Sequence, residues 1–421
     1  MSALCTVTTP LRKVHQWCHT PDACFGGMRI LHTSDWHLGR SFGPVSLADH
    51  QHQFVDWLVG ACADLRIDLV VVAGDIYDRS IPPIDAVVLF RDALRRLRAN
   101  GHRVAVITGN HDGADRVAAY DDLIDVSGIY VRGGYGRLGE VISLPFDDGP
   151  LDLVLLPFLD PHAAPDDLPV GPHDAAPDEA HDDAFERRLR RTHESVLTAA
   201  IAATHPRLSS PRSVAVAHAF VSGCEVTDSE RPLTVGGSGT VPASLFAGFS
   251  YTALGHLHRP QRVGGSDTVR YSGTPLAYSF SEGHGKSVTV VDMRPDGRCT
   301  VDIVPIDVGR AACTIEGTID ELLGAVPSAA VRDSFVRAVV TDPGVVLDAK
   351  QRLTAVYPHV VEIDLRPAVP AGDRAPAAVR RSLAPLDAVE AFWIESTSQP
   401  PTAAERDVLH QALAHAGGGR G

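Results

Sequence analysis

Along this chain the spacing of apolar residues switches repeatedly between two periods. Short runs of β-branched and aliphatic residues recur at 29–33, 68–73, 103–108, 151–156, 213–217 and 251–254, and none shows the polar alternation of a strand wetted on one face. These runs predict strands buried on both sides. Between them, residues 49–65 and 84–99 place apolar positions at the 3.6-residue period, and Asn100-Gly101 supplies a stop for the second helix. Buried strands alternating with amphipathic helices predict an α/β fold in which sheet and helices form layers.

The pattern breaks in two places. Residues 160–182 crowd Pro, Asp, His and Ala, which cannot pack, and predict an exposed loop whose His162, His173 and His181 stay idle in solvent. Beyond residue 308 a small α/β pattern (309–367) precedes a Pro/Ala/Arg linker (368–385) and a last helical stretch with its tail (386–421). Residues 1–27 lack the basic-then-apolar order of a signal peptide and predict a disordered leader, with Met28 as the expected start of the fold. Cys5, His15, Cys18, His19 and Cys24 within that leader match no zinc-finger spacing.

Composition narrows the class. An apolar fraction of 44% with 21% charged residues is that of a globular protein, and no apolar run approaches the ~20 residues that span a bilayer. Seven scattered cysteines, an odd number, do not make a secreted disulfide framework and fit a reducing cytoplasm. A formal charge of −14 excludes nucleic-acid binding by bulk electrostatics, so any such contact must be local or shared with a partner.

The candidate chemistry sits where strands run out. Ser34-Asp35-Trp36-His37, Gly74-Asp75, Gly109-Asn110-His111-Asp112, His218 and Gly255-His256-Leu257-His258 each follow an apolar run. Ligands of open α/β sheets bind beyond the carboxyl ends of the strands, so five such tips can converge on one crevice. In extended chain, residues i and i+2 face the same way, which pairs Asp35 with His37 and His256 with His258 as chelates. Gly74, Gly109 and Gly255 would let the backbone crowd a metal or phosphate.

Seven oxygen and imidazole donors without thiolate suit Mn²⁺, Fe²⁺ or Zn²⁺ and are too many for one ion. Two divalent ions are expected. With Asp75 bridging, one takes Asp35, His37 and His258, and the other takes Asn110, His218 and His256. Such a pair can activate water and polarise phosphoryl oxygens for in-line displacement. His111, which neither ion needs, is left to stabilise the transition state or protonate the leaving oxygen.

Together these motifs resemble those of the calcineurin-like metallophosphoesterases. Residues 29–39 (RILHTSDWHLG), 73–78 (AGDIYD) with Pro82-Pro83, and 271–275 (YSGTP) are similar to the bacterial SbcD nucleases in particular, over about 28–308. The resemblance implies a layered β-sandwich flanked by helices, and a Mn²⁺-dependent double-strand exonuclease and single-strand or hairpin endonuclease acting on DNA ends. It implies a homodimer joined to an SbcC-type coiled-coil ATPase. Residues 309–367 then correspond to a capping domain and 386–421 to partner-binding helices. Archaeal and eukaryotic relatives carry a second histidine where this chain has Asp78, so that residue is expected to cap or orient a loop. His52, His102 and His284 are expected to be structural or exposed.

Two other functions use the same donors: a phosphodiesterase or phosphatase of small esters, and a DNA-end-binding scaffold without activity. The C-terminal module disfavours the first and the complete donor set the second. Arg40, Arg79, Arg116 and Arg259 lie close to the motifs and are candidates to track phosphates.

Overall fold

The computed structural model describes residues 27–168, 191–230, 239–366, 384–397 and 399–417. The leader up to residue 26, most of the 160–182 loop with His173 and His181, and most of the 368–385 linker lie outside these residues. The described chain divides into two compact units after Ala311.

The first unit contains two six-stranded sheets. One runs Cys299–Pro305, Ser287–Met293, Met28–Thr33, Leu69–Ala73, Arg103–Ile107, Ile129–Arg132, the last four mutually parallel. The other runs Gln261–Val263, Ser266–Tyr271, Tyr251–Gly255, Ser213–His218, Leu151–Leu156, Ile142–Leu144, with its four central strands parallel. All six predicted strands are present, and the two predicted helices form at Ala48–Asp64 and Ile84–Ala99.

Alternation across each strand explains the layers. Leu69, Val71 and Ala73 from the first sheet meet Leu153, Leu155, Val214, Val216 and Ala253 from the second in one shared core. The opposite face of the second sheet, including Val154, Leu156 and Ala217, packs with Val196, Leu197, Ala200 and Ile201 of the helix His193–Thr204. His32 ties the sheets together: its Nε2–H donates to the Leu254 carbonyl (3.1 Å), so its Nδ1 accepts the Tyr251 hydroxyl (2.9 Å). Burial takes the pKa of His32 down to about 3, which keeps this strut neutral.

The second unit has three parallel strands, Ala312–Gly317, Phe335–Val340 and Val360–Leu365 in that order. A capping box of Thr318 and Glu321 starts the helix Ile319–Gly324, whose Ile319 and Leu322 join Val336, Ala338 and Leu353 in a separate core. Helices Pro385–Thr397 and Ala403–Gly417 are linked by Arg406 Nε donating to Glu390 Oε1 at 2.6 Å. No helix among the described residues is long and apolar enough to cross a membrane.

Candidate metal centre

Five parallel strands end on one edge, three from the first sheet and two from the second, and there the backbone leaves extended geometry. Asp35, His37, Asp75 and His256 all have positive φ (53°, 44°, 49° and 109°), four of the six non-glycine residues with positive φ among those described. Each costs roughly 1–3 kcal/mol, which the surrounding structure must hold in place. Main-chain bonds across the tips do so: Asp35 N–H donates to the Gly74 carbonyl (3.0 Å), and His37 N–H to that of Asp75 (3.0 Å). The carboxylate of Asp112 accepts from the N–H groups of Gly109 (2.8 Å), Tyr77 (2.9 Å) and Ile76 (3.1 Å), binding two tips into one loop cluster.

The strand-end glycines are set by close approach of the protein to itself. A Cβ on Gly255 would lie 1.8 Å from the Ala73 carbonyl oxygen, and one on Gly109 would lie 2.1 Å from Asp75 Oδ1. Gly255→Ala should therefore lower the melting temperature, at roughly 1–3 kcal/mol or more for overpacking. Gly60→Ala, in an exposed helical position with nothing within 4 Å, should raise it, through a stability gain of about 0.5–1 kcal/mol. Parallel thermal melts of the two variants check both signs.

The predicted donors gather into two groups that share one carboxylate. Asp35, His37 and His258 form the first group, with His37 Nε2 and His258 Nε2 only 3.2 Å apart. Around Asn110 Oδ1 stand His218 Nε2 (3.0 Å) and His256 Nδ1 (3.1 Å). Asp75 Oδ2 lies between, 3.6 Å from His37 Nε2 and 3.7 Å from His218 Nε2. Asn110 is half-buried and the other six are buried.

The two i,i+2 pairs behave differently from extended chain. Asp35 and His37 share a group because left-handed turns fold them together. His256 and His258 do not chelate as a pair, because they turn to opposite groups.

The donor chemistry fits divalent cations. Burial holds His37 and His256 well below the usual imidazole range and lowers His218, so each ring is neutral and keeps one nitrogen lone pair available. Burial, and then the neighbouring Asp75, push the Asp35 carboxyl well above its ordinary value, and the same pair of causes takes Asp112 up to about 7 despite its three N–H donors. Close buried carboxylates facing neutral imidazoles are relieved by positive charge. His218 Nδ1–H donates to the Ala73 carbonyl (2.9 Å), which leaves Nε2 facing the site.

His111 stands at the rim, half-buried, with its ring 4.8 Å from that of His37. Its N–H donates to Asp75 Oδ1 (2.9 Å) and its Nδ1–H to the Asp78 carbonyl (2.8 Å), which leaves Nε2 as the atom able to exchange a proton. Asp78 thus orients His111 through its main chain, and its carboxylate pairs with Arg40 (3.5 Å) and Arg79 (3.6 Å). Arg40 also lies over the Tyr278 ring, Arg116 donates to the Ser80 carbonyl and Arg259 pairs with Glu225. His52 is exposed, His102 bonds the Ile67 carbonyl and His284 sits 3.3 Å from that of His258.

Sequence reasoning passed over the support of His258. Ser229 Oγ lies 2.6 Å from His258 Nδ1, and the buried Glu282 binds Ser229, Thr274 and Lys286. Burial alone would raise the Glu282 carboxyl, but the Lys286 charge and its hydrogen bonds hold it well below the usual range. The available signal was Lys286, one of only three lysines in the sequence, four residues after Glu282 and close behind the 271–275 motif.

The calcineurin-like phosphoesterase family profile matches residues 28–260, which span every donor of this centre. The SbcD nuclease component of the Bacillus subtilis (strain 168) SbcCD complex is 39% identical over 290 residues, covering 67% of this chain and 71% of the relative. Among solved structures, an archaeal phosphodiesterase aligns with a TM-score of 0.29 at 14% identity, over 66% of this chain and 100% of its own. A dimetal phosphatase from Danio rerio aligns with a TM-score of 0.37 at 14% identity, over 69% and 98%. With more than half its length matched by the profile and two thirds aligned to the Bacillus nuclease, the chain is a metal-dependent phosphoester hydrolase and belongs to the calcineurin-like phosphoesterases, in the branch of the SbcD nucleases.

Proposed function

We propose that this chain is the nuclease component of an SbcCD-type complex, hydrolysing phosphodiester bonds at DNA ends with two divalent ions, Mn²⁺ foremost. The observation that carries this reading is the position of Asp75 between two donor groups, Asp35/His37/His258 and Asn110/His218/His256. Divalent ions in such a site supply Lewis acidity toward phosphoryl oxygens and make water acidic enough to attack near neutral pH.

The remaining roles belong to the chain. Asp75 and Asp35 balance part of the cationic charge, which leaves a net attraction for a phosphodiester. Protonated His111, pinned through Nδ1–H to the Asp78 carbonyl, would present Nε2–H to the leaving oxygen. The buried walls keep water from the imidazoles, and exposed Arg79 stands at the rim as a candidate phosphate contact.

In this reading, residues 309–367 cap the nuclease, 386–421 dock a coiled-coil ATPase, and the complex works in the cytoplasm. Phe392, Ile394 and Val408 are exposed on the last helices, as a docking surface requires. A homodimer is supported by Ile81, Ile84, Val87 and Val88, four exposed apolar side chains at and just before the start of the helix Ile84–Ala99. Ile84→Asp is expected to shift the protein from a two-chain to a one-chain mass in light scattering, with its metal content unchanged. A one-chain mass for the unaltered protein would remove this surface from the dimer account.

The test of function is digestion of end-labelled linear duplex DNA with Mn²⁺, alone and with the ATPase partner and ATP. Metal-dependent shortening of the duplex is expected. An intact duplex under all conditions, with a small phosphodiester cleaved instead, would make the chain an enzyme of small esters.

A further inference from the structure

We propose that Ser229 and Glu282 form a positioning relay that makes His258 a metal ligand through Nε2, an inference that rests on the metal-centre reading above. The hydrogens can be placed one by one. Glu282 accepts at both oxygens: Oε1 takes the Ser229 hydroxyl and the Tyr278 N–H (3.2 Å), while Oε2 takes the Thr274 hydroxyl (2.9 Å) and the Lys286 ammonium. A carboxylate has no hydrogen to give, and its oxygen lies closer to Ser229 Oγ than Thr227 Oγ1 does at 2.9 Å, so the single hydroxyl hydrogen of Ser229 points toward Glu282. The Ser229 oxygen then offers only lone pairs to His258 Nδ1, 2.6 Å away, and Nδ1 must carry the ring proton. The lone pair of the neutral ring is thereby fixed on Nε2, which faces His37 Nε2 at 3.2 Å in the first donor group.

This support differs in kind from that of its neighbours. His218 and His111 have their Nδ1–H groups held by the main-chain carbonyls of Ala73 and Asp78, which no side-chain substitution removes. His258 depends on two side chains distant in sequence. The His258 and Glu282 side chains are only 1% and 0% exposed, and half-buried Ser229 joins them. The relay is also well anchored. Glu230 accepts the His258 N–H (2.8 Å) and the Thr227 hydroxyl (2.8 Å), the Asp228 N–H meets Ser281 Oγ (2.9 Å), and Thr274 N–H bonds the His258 carbonyl (3.1 Å). The 271–275 motif therefore reaches the centre through Thr274 and Glu282.

Loss of a residue that orients a ligand costs roughly 10–100-fold in metal affinity. The relay touches one donor group, so its loss should weaken one ion and spare the other. The experiment is a Mn²⁺ titration of the full chain, counting free ion by its electron paramagnetic resonance signal, for wild type, Ser229→Ala, Ser229→Thr, Glu282→Gln and the Ser229→Ala/Glu282→Gln double variant.

Wild type should bind two ions. Ser229→Ala should keep one at unchanged affinity and bind the other about 10–100-fold more weakly. Ser229→Thr, which keeps the hydroxyl, should restore the second ion, and Glu282→Gln should add no further loss in the Ser229→Ala background. Ser229→Ala, which leaves the Glu282–Lys286 pair intact, decides the matter even if Glu282→Gln does not fold. Two ions bound normally by Ser229→Ala, equal weakening of both, or no rescue by threonine would each overturn the relay while leaving the centre standing. Fewer than two ions on wild type would overturn the centre, and the relay with it.

Discussion

Asp75→Asn is expected to reduce phosphodiester hydrolysis by roughly 10³-fold or more. Among the described residues, Asp75 Oδ2 is the carboxylate oxygen that stands between the two donor groups, and the substitution removes its charge while keeping its shape. Metal affinity should fall for both ions, which steady-state rates and a metal titration on the same variant would establish together. The metal-free protein should respond in the opposite sense. Buried Asp75 raises the carboxyls of both Asp35 and Asp112, so removing its charge relieves repulsion and should raise the melting temperature of the metal-free form. A variant within tenfold of wild-type rate would end the bridging assignment.

His111→Ala separates chemistry from metal binding. The His111 side chain belongs to neither group around Asp75, while its main-chain N–H bond to Asp75 Oδ1 survives the substitution. Two ions should therefore remain, with the rate lower by roughly 10²–10⁴-fold as expected for loss of a proton-transfer group. Loss of an ion from this variant would instead make His111 a ligand. That alternative has a definite form, because His37, Asp78 and His111 also converge closely enough to hold a cation.

How much of the molecule is legible in its sequence varies with the range of the interaction. Strand and helix positions are readable to within a residue or two, because burial on both faces imposes uninterrupted apolar runs such as Leu69–Ala73. The convergence of tips also follows from the sequence, since parallel strands expose their carboxyl ends on one edge. Local geometry at those tips does not follow. Period-two alternation assumes extended chain, and the positive φ angles of Asp35, His37 and His256 break it at the residues where it was applied.

Long-range support is harder still. Ser229 lies 29 residues from His258 and 53 from Glu282, so no local pattern links them. Asp112 sits inside a recognised motif, yet its three main-chain partners come from two loops and give no composition signal. Of the four arginines near the motifs, Arg259 is engaged by Glu225, Arg40 by Asp78 and Arg116 by a carbonyl. Proximity in sequence does not distinguish them from Arg79, which also pairs with Asp78 but has a side chain 68% exposed, against 49% for Arg259 and 17% for Arg40.

The proposed activity requires seven side chains to form one centre for two divalent ions with Asp75 shared. Anomalous diffraction at the manganese edge from crystals grown with Mn²⁺ probes that arrangement without reference to activity. Two peaks are expected, one among Asp35, His37 and His258 and the other among Asn110, His218 and His256, both in contact with Asp75. A single peak, or a peak held by His37, Asp78 and His111 in place of either, would contradict the shared centre.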